Sequence, residues 1–275
     1  MTIRINFIKM VASGNDFVII EKSHQSPLFS HQSLARKICD RKYGIGADGL
    51  LILEKSKIAD IRMRIFNPDG SEAEMCGNGA RCIALFKAKG KKQKAKVGIE
   101  TKAGVIKSEV DDNNIKIKLT DPREIKLDIP IHINGRNLKV NFIDTGVPHT
   151  VIFVEGLDKI DIVKLGRQIR YHKRFIPAGT NVDFVEVKDS QTIKIRTYER
   201  GVEDETLACG TGVVASALIT RHKDKRMQGH KSQKINVQTK SAEILKVYFD
   251  KIDSKFKNVW LEGKAEIVYK GEYYV

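Results

Sequence analysis

The chain has 275 residues, a formal net charge of +15 from 49 Lys and Arg against 34 Asp and Glu, and a hydrophobic fraction of 41%. This length and apolar fraction suit one large domain or two of ordinary size, and no apolar run of about 18 residues is present to span a membrane. Four cysteines in a chain of this length exclude a disulfide scaffold.

The first half predicts a regular order of elements. A β-rich opening ends at the turn Ser13-Gly14-Asn15. The pattern then predicts a helix over 33–42, strands over 50–53 and 61–66, a turn at Asn67, a helix led by Cys76, and strands over 105–110 and 115–119. The residues from Ile115 to Leu119 alternate apolar and polar with the period of two that is typical of a strand.

The second half repeats that order. A helix is predicted over 162–170, followed by strands over 184–187 and 192–198, a helix led by Cys209, and strands over 241–249 and 258–268. Pro122 interrupts the pattern, so we predict an N-terminal lobe of residues 1–121 and a C-terminal lobe of residues 122–263. The last residues, 264–275, are a candidate to complete the first lobe.

The repeat is clearest at two cysteines. Cys76-Gly77-Asn78-Gly79 returns as Cys209-Gly210-Thr211-Gly212, 133 residues later (209 − 76). Three further landmarks recur in the same order at separations of 132, 131 and 135 residues: Gly14 with Gly146, Leu34 with Leu165, and Asp48 with Asp183.

This ordered recurrence predicts a diverged duplication. At the same spacing Asn67 corresponds to Arg200, and Asn15 to Val147. The predicted fold is α/β (α+β). It has two pseudo-symmetric lobes, each a mixed or antiparallel sheet wrapped around a central helix that begins at a cysteine, and the active site is expected in the cleft between them.

Each Cys-Gly-x-Gly unit suits acid–base chemistry. The thiolate is the reactive form of cysteine, and a helix N-terminus lowers the thiol pKa. The unpaired N–H groups of a first helical turn also bind carboxylates, and glycines let a ligand approach the backbone. Two such units predict one sulfur on each side of an α-carbon: a thiolate removes the proton and the opposite thiol delivers another, so that the configuration inverts.

Eight ordered motifs between about residues 7 and 268 resemble the diaminopimelate epimerase family. They are Gly14-Asn15-Asp16-Phe17, the run from Tyr43 to Gly49, the run from Phe66 to Ser71, the run from Met75 to Cys82, Gly146-Val147-Pro148-His149, the run from Gly179 to Asp183, the run from Tyr198 to Thr206, and the run from Ala208 to Gly212. The Cys-Gly-x-Gly unit alone is shared with proline racemases, whereas Asn78 and the run from Glu199 to Glu203 favour the diaminopimelate branch.

The resemblance implies a role for each site residue. Cys76 and Cys209 are the catalytic acid/base pair, and His149 and Glu199 modulate the thiol pKa values. The substrate is an amino acid with two carboxylates, and its binding residues are Asn15, Asn67, Gly77, Asn78, Asn181, Glu199, Arg200, Gly210 and Thr211. Members commonly carry Asn in place of Val147, and some carry Gln in place of Gly49. The side-chain contacts to the substrate at these two positions are therefore expected to differ from those of other members.

The resemblance further implies no cofactor and a homodimer. We also predict no metal, because the four cysteines include no Cys-x₂-Cys pair and no nearby His with ligand spacing. We interpret Cys39 and Cys82 as buried structural residues. The N-terminus from Met1 to Asn6 lacks a signal-peptide core, which favours a cytoplasmic protein.

Three other functions remain open. The fold could serve a proline- or hydroxyproline-type racemase, or a phenazine-pathway-type isomerase, although the second cysteine speaks against the latter. The +15 charge would suit a non-catalytic nucleic-acid-binding protein. However, the dense run from Lys87 to Lys96 has no interleaved aromatics for base stacking. We interpret this run as a solvated helix end and loop, and we predict no nucleic-acid or membrane partner.

Overall fold

The structure is a computed structural model that describes residues 3–21, 30–89, 94–224, 232–252 and 255–275. The chain divides into two units: the first comprises Met1–Ile117 with Gly263–Val275, and the second comprises Lys118–Glu262. Part of the lysine-rich run, residues 90–93, lies outside the described residues. No helix of the described chain is long and apolar enough to cross a membrane.

The first unit contains two helices and a mixed sheet. Its elements are β1 (Arg4–Ala12), β2 (Asn15–Glu21), α1 (His31–Cys39), β3 (Gly49–Glu54), β4 (Ile61–Phe66), β5 (Glu72–Ala73), α2 (Gly77–Ala88), β6 (Ala95–Thr101), β7 (Gly104–Asp111) and β8 (Asn114–Lys118), together with the last strand of the chain, which pairs with β1.

The second unit also contains two α-helices and a set of mixed strands. Its elements are β9 (Arg123–Ile133), β10 (Arg136–Asp144), β11 (Pro148–Phe153), α3 (Ile162–Arg170), β12 (Asn181–Val187), β13 (Thr192–Glu199), β14 (Asp204–Thr206), α4 (Gly210–Lys223), β15 (Ser232–Gln238), β16 (Ile244–Ile252) and β17 (Lys255–Lys264). A short 3₁₀ turn, Leu157–Lys159, precedes α3. The strand that ends the chain is β18 (Glu266–Tyr274).

The strand pairings are duplicated. In the first unit β2 and β3 are parallel, β3 and β4 antiparallel, and β4 and β6 parallel. In the second unit β11 and β12 are parallel, β12 and β13 antiparallel, and β13 and β15 parallel. Strand β18 pairs with β1 as β9 pairs with β10. The last strand of the chain, β18, therefore occupies in the first unit the position that β9 occupies in the second.

The central helices explain why each half carries a second apolar stretch. In α2 the run from Asn78 to Ala84 is buried, and in α4 the run from Gly212 to Ile219 is buried, so both helices are enclosed instead of lying on a surface. The outer helices α1 and α3 bury one face only, through Leu34 and Ile38 in α1 and through Ile162 and Ile169 in α3.

The strand register corrects two of the predicted correspondences. Phe17 pairs with Gly49 in the first unit, and His149 with Asn181 in the second. Each residue of the second pair lies 132 positions after its equivalent in the first pair. The same separation relates the pair Leu50 and Phe66 to the pair Val182 and Tyr198.

By this register, Asp183 corresponds to Leu51 and not to Asp48, because parallel pairing fixes which residues share a face. Asn67, the residue after Phe66, corresponds to Glu199 and not to Arg200. Cys76 follows Phe66 by 10 residues (76 − 66), whereas Cys209 follows the equivalent Tyr198 by 11 (209 − 198), which gives the separation of 133 at the cysteines.

Three predicted elements differ from the structure. The strand predicted over 241–249 is β16, Ile244–Ile252, because the chain turns at Ala242, whose φ is 65°. The segment 258–268 was predicted as one strand, which is wrong: it belongs to β17 and β18, which break at Ala265. The first helix was predicted to run to residue 42, but α1 ends at Cys39 because the Asp40 carboxylate accepts the backbone N–H groups of Lys42 and Tyr43 at 2.8 and 2.7 Å.

Candidate active site

Cys76 lies at the N-cap of α2. Its backbone is extended, with φ −140° and ψ 122°, and the Gly79 N–H group donates to its Sγ atom at 3.5 Å. The side chain is half-buried. In the first turn the N–H groups of Gly77 and Asn78 have no acceptor within the helix, so the sulfur stands beside backbone donors that suit an anion.

The side chains of Asn15 and Asn78 are held by a hydrogen-bonded chain in the first unit. Asn15 Nδ2 donates to Asp48 Oδ2 at 3.1 Å, and Asn78 Nδ2 donates to Asn15 Oδ1 at 2.6 Å. The Arg81 guanidinium donates to Asn78 Oδ1 at 2.7 Å and to Ser13 Oγ at 2.6 Å. Both ends of the Asn78 amide are therefore bonded to protein, which leaves its backbone N–H as the group facing a ligand.

A cluster of charges supports Asp48. Asp16 contacts Lys9 Nζ at 2.8 Å and Arg41 at 2.8 Å, and Arg41 also contacts Asp48 at 2.7 Å. Burial raises the pKa of Asp16, but the Arg41 hydrogen bond and the Lys9 ammonium outweigh burial and hold that pKa well below its usual range. Asp16 therefore stays charged, and the Asp48 carboxylate accepts from both Asn15 and Arg41.

Cys209 has the equivalent place at the N-cap of α4 but a different environment. It is 7% exposed. Burial raises the pKa of its thiol well above the usual 9.0, the negative charges of Glu199 and Asp183 raise it further, and the hydrogen bond with Thr211 opposes them. Cys209 thus does not readily lose its proton to solvent.

A buried polar cluster lies beside Cys209. His149 Nδ1 is 2.8 Å from Asp183 Oδ2, and His149 Nε2 is 2.9 Å from Thr211 Oγ1. Thr211 Oγ1 is in turn 3.4 Å from Cys209 Sγ, and Thr197 Oγ1 donates to Asp183 Oδ1 at 2.7 Å. The side chains of His149 and Asp183 are both 0% exposed, so their bond stands entirely out of water.

Asn181 organises the loops around this cluster. Its Nδ2 donates to the Pro148 carbonyl at 3.0 Å, and its Oδ1 accepts the Arg200 N–H at 2.8 Å. Arg200 also donates to the Ala178 carbonyl at 3.2 Å and is half-buried. Burial raises the pKa of Glu199, and the nearby Asp183 adds to that shift. The second unit therefore brings together Cys209, His149, Glu199, Asn181 and Arg200, with Gly210 and Thr211 on the helix.

Asn67 is exposed and begins a turn. Its Nδ2 donates to Ser71 Oγ at 2.9 Å, and its backbone N–H donates to the Ser71 carbonyl at 2.8 Å. Among the predicted residues of the first unit, the network described above joins Asn15 and Asn78 to each other but does not include Asn67.

A duplicated ion-paired triad was missed by the sequence analysis. In the first unit Glu72 contacts Arg64 at 2.8 Å and Lys102 at 2.7 Å. In the second unit the corresponding triad is Arg196, Glu205 and Lys240, with contacts of 2.6 and 2.9 Å. Each glutamate precedes its cysteine by four residues (76 − 72 and 209 − 205), so each triad anchors the strand that leads into the thiol. The recurring Thr-Lys turn, at Thr101 and Thr239, is the sequence signal that could have revealed it.

The cysteines form no disulfide with one another. Burial raises the pKa of Cys39 to about 11 and that of Cys82 to about 12. Within the described residues no group of three or more His, Cys, Asp or Glu side chains could hold a metal ion.

The fold matches that of several solved structures. A Bacillus anthracis phenazine biosynthesis protein of the PhzF family aligns with a TM-score of 0.74 and 21% identity over 99% of this chain and 100% of that one. A hydroxyproline epimerase from Agrobacterium vitis, with bound trans-4-OH-L-proline, aligns with a TM-score of 0.71 and 14% identity over 98% and 91%. These likenesses define the class of fold: a duplicated α/β architecture found in racemases and related isomerases.

The sequence comparisons resolve the class further. A sequence profile described as diaminopimelate epimerase matches residues 7–125 and 141–268. A diaminopimelate epimerase of Aquifex aeolicus is 41% identical over 97% of this chain and 97% of its own length. One of Methanocella arvoryzae is 38% identical over 98% and 96%. The chain belongs to the diaminopimelate epimerase family.

Proposed function

We propose that this protein interconverts LL- and meso-diaminopimelate, a precursor of lysine and peptidoglycan, without a cofactor. The observation that carries the proposal is the pair of thiols at the N-caps of two duplicated, enclosed helices. Family membership and relatives named diaminopimelate epimerase support the substrate. The likeness to a hydroxyproline epimerase structure supports only the fold.

The reaction needs two proton-transfer groups on opposite faces of one α-carbon. Either Cys76 or Cys209, as a thiolate, removes the α-proton, and the other, as a thiol, protonates the opposite face. The departing electrons move onto the α-carboxylate. The first-turn N–H groups at Gly77, Asn78, Gly210 and Thr211 stabilise that charge, and one such donor is worth about 3–4 kcal/mol.

The remaining predicted residues recognise the far end of the substrate. Arg200 suits a carboxylate, since guanidinium binds it bidentately. Asn15 keeps one N–H and one lone pair beyond its bonds to Asp48 and Asn78. Asn67 and Asn181 supply further amide groups, and Glu199 and His149 modulate the pKa values of the two thiols.

We also propose that the protein is a cytoplasmic homodimer, which sedimentation analysis and cell fractionation would test.

Epimerisation in D₂O tests the chemistry. The protein should convert LL-diaminopimelate to the meso form and incorporate deuterium at the α-carbon without added pyridoxal phosphate. Cys76→Ala and Cys209→Ala should each lower kcat by about 10²–10⁴-fold, since each removes one acid–base group.

Cys82→Ala is the matched control, because Cys82 lies on the same helix as Cys76 but is fully buried with a raised pKa. The Cys82→Ala variant should retain epimerisation and deuterium incorporation at the α-carbon. Full activity in both variants of the N-cap cysteines would exclude the two-thiol mechanism. Turnover of cyclic imino acids but not of diaminopimelate would instead indicate a proline-type racemase.

A further inference from the structure

Four side chains of the first unit form a hydrogen-bonded network that ends in a cation on one side and an anion on the other. It runs from Arg81 Nη2 to Asn78 Oδ1 at 2.7 Å, from Asn78 Nδ2 to Asn15 Oδ1 at 2.6 Å, and from Asn15 Nδ2 to Asp48 Oδ2 at 3.1 Å. Arg81 is 0% exposed and Asn78 is 5% exposed, so water competes little for the bonds at that end. We call these four residues the amide network.

The two ends of the amide network allow only one direction of donation. A guanidinium donates and never accepts, so Asn78 must turn its oxygen toward Arg81. The Asn78 Nδ2 group then faces Asn15, which must meet it with Oδ1 and therefore directs Nδ2 toward Asp48. The Asp48 carboxylate, which also accepts from Arg41 at 2.7 Å, demands the same orientation from its own side. Reversal of either amide would place two donors or two acceptors against each other.

Further contacts hold both ends of the amide network in place. Arg81 Nη2 carries two hydrogens, of which one reaches Asn78 and the other reaches the Ser13 hydroxyl at 2.6 Å. Asp48 Oδ2 accepts the backbone N–H group of Asp16 at 3.2 Å in addition to the Asn15 amide. Neither end can turn away from its asparagine without losing a second hydrogen bond.

Asn15 is the member of the network with hydrogen-bonding capacity to offer a ligand. It is half-buried, and beyond its two bonds in the network its amide retains one Nδ2 hydrogen and one Oδ1 lone pair. An α-amino carboxylate needs one acceptor for its ammonium group and one donor for its carboxylate. The fixed orientation of Asn15 therefore determines on which side each of these two groups is bound.

We propose that Arg81 and Asp48 are positioning residues for substrate recognition, because together they fix the orientation in which Asn15 presents its amide donor and acceptor. Neither residue has to touch the substrate, since both act through hydrogen bonds to asparagines. The inference rests on the proposed function, which assigns the α-amino carboxylate at the far end of the substrate to Asn15. An end whose ammonium and carboxylate groups are exchanged would meet like groups on Asn15 and bind more weakly.

The amide network belongs to the first unit alone. The equivalents of its four members in the second unit carry neither a carboxamide nor a charge. They are Val147 and Thr180 at the strand separation of 132 (147 − 15 and 180 − 48), and Thr211 and Val214 at the helix separation of 133 (211 − 78 and 214 − 81). The duplication thus left an amide of fixed direction in one unit only, which suits a substrate that has to be held in one direction.

Steady-state kinetics separates this positioning role from a general loss of structure. Arg81→Met removes the donor at one end of the network and keeps a long side chain in the helix. It should raise KM for LL-diaminopimelate about tenfold, the effect of one hydrogen bond, with a much smaller change in kcat because both thiols keep their places at the helix N-caps. Arg81→Lys keeps a cation that only donates and should restore most of the affinity.

Arg221→Met is the matched control. Arg221 is an arginine of the other central helix, α4; it is 2% exposed and donates to Gln233. Its replacement should leave KM at the wild-type value even where it lowers the free energy of unfolding. Ser13→Ala removes the second Arg81 bond but keeps the bond to Asn78, so it should also leave KM close to that of the wild type. An unchanged KM in Arg81→Met, or an equal rise in Arg221→Met, would overturn the proposal.

Neutron diffraction from deuterated crystals tests the orientation of the amides without substrate. Neutrons distinguish a deuterated amide nitrogen from an oxygen, which X-rays at ordinary resolution do not. The wild type should place the Asn78 ND₂ group on Asn15 Oδ1 and the Asn15 ND₂ group on Asp48, and the opposite orientation of either amide would overturn the proposal. Failure of the proposed epimerase activity would leave this measurement unaffected, so the two proposals can fail separately.

Discussion

The contrast between the two central helices leads to a stability prediction at one pair of glycines. A Cβ atom at Gly212 would stand 2.4 Å from Asp183 Oδ1, whereas a Cβ atom at Gly79 would stand 3.3 Å from Leu51 Cδ2. Ordinary contact begins near 3.4 Å, so Gly212→Ala must displace Asp183 Oδ1 by about 1 Å and Gly79→Ala must displace Leu51 by about a tenth of that.

The displacement at Gly212 breaks a specific bond. Asp183 Oδ1 accepts from Thr197 Oγ1 at 2.7 Å, and a retreat of about 1 Å takes that contact beyond hydrogen-bonding range. Loss of a hydrogen bond to a buried charge costs about 2–4 kcal/mol, while alanine in a helix recovers up to about 1 kcal/mol over glycine. With the helix gain of about 1 kcal/mol subtracted, Gly212→Ala should therefore lower the free energy of unfolding by about 1–3 kcal/mol, and Gly79→Ala should change it by less than about 1 kcal/mol.

Urea-induced unfolding followed by circular dichroism measures both variants, with the free energy taken from the midpoint at an unchanged m-value. A double-mutant cycle with Asp183→Ala locates the cause, since the penalty of Gly212→Ala should then fall toward that of Gly79→Ala. Equal losses in the two glycine variants would refute the reasoning, as would a penalty that is independent of Asp183.

Three further predictions concern the triads and the outer helices. Glu72→Gln and Glu205→Gln should each destabilise the fold by about 2 kcal/mol in urea unfolding at pH 7, because each removes the carboxylate from its triad; unchanged unfolding midpoints would contradict this. The Arg64 hydrogen bond, which outweighs burial, lowers the pKa of Glu72 from 4.5 to about 2. The stabilisation that the Glu72 carboxylate contributes should therefore be present above pH 4.5 and disappear as the pH falls toward 2. At that pH the wild type and Glu72→Gln should have the same free energy of unfolding. Gly166→Ala, whose Cβ would stand 2.5 Å from Tyr198 Cβ, should lower the unfolding free energy by about 2–3 kcal/mol, and a variant as stable as the wild type would show that α3 can shift on its sheet.

The sequence predicted most regular elements because their patterns are local. Strand β4 was predicted with the bounds that it has, and α3 likewise. Both combine a clear periodicity with sharp flanking signals. The missed break at Ala265 has a different origin: the apolar alternation continues through it, and only the pairing of β18 with β1 shows that β18 belongs to the first unit.

The residues of the candidate site also divide into those that a local sequence pattern reveals and those that depend on strand pairing. Cys76 and Cys209 were found from the sequence because a thiol before a glycine pair and an apolar helix is a short, repeated signal. Asp183 was not recognised as a site residue, since sequence offsets alone aligned it with Asp48. Its contact with His149 depends on parallel pairing between β11 and β12, which no local pattern reveals.

By itself, then, the sequence determined the duplication, the enclosed helices and the two thiols at their N-caps, since these follow from composition, periodicity and capping within a few residues. Only the tertiary structure decided which residues surround each thiol. Equivalent positions hold Phe17 and Leu51 in one unit and His149 and Asp183 in the other, and strand register brings residues 34 positions apart in sequence to 2.8 Å. The backbone symmetry is encoded locally, whereas the electrostatic asymmetry of the two cysteines arises from contacts between distant strands.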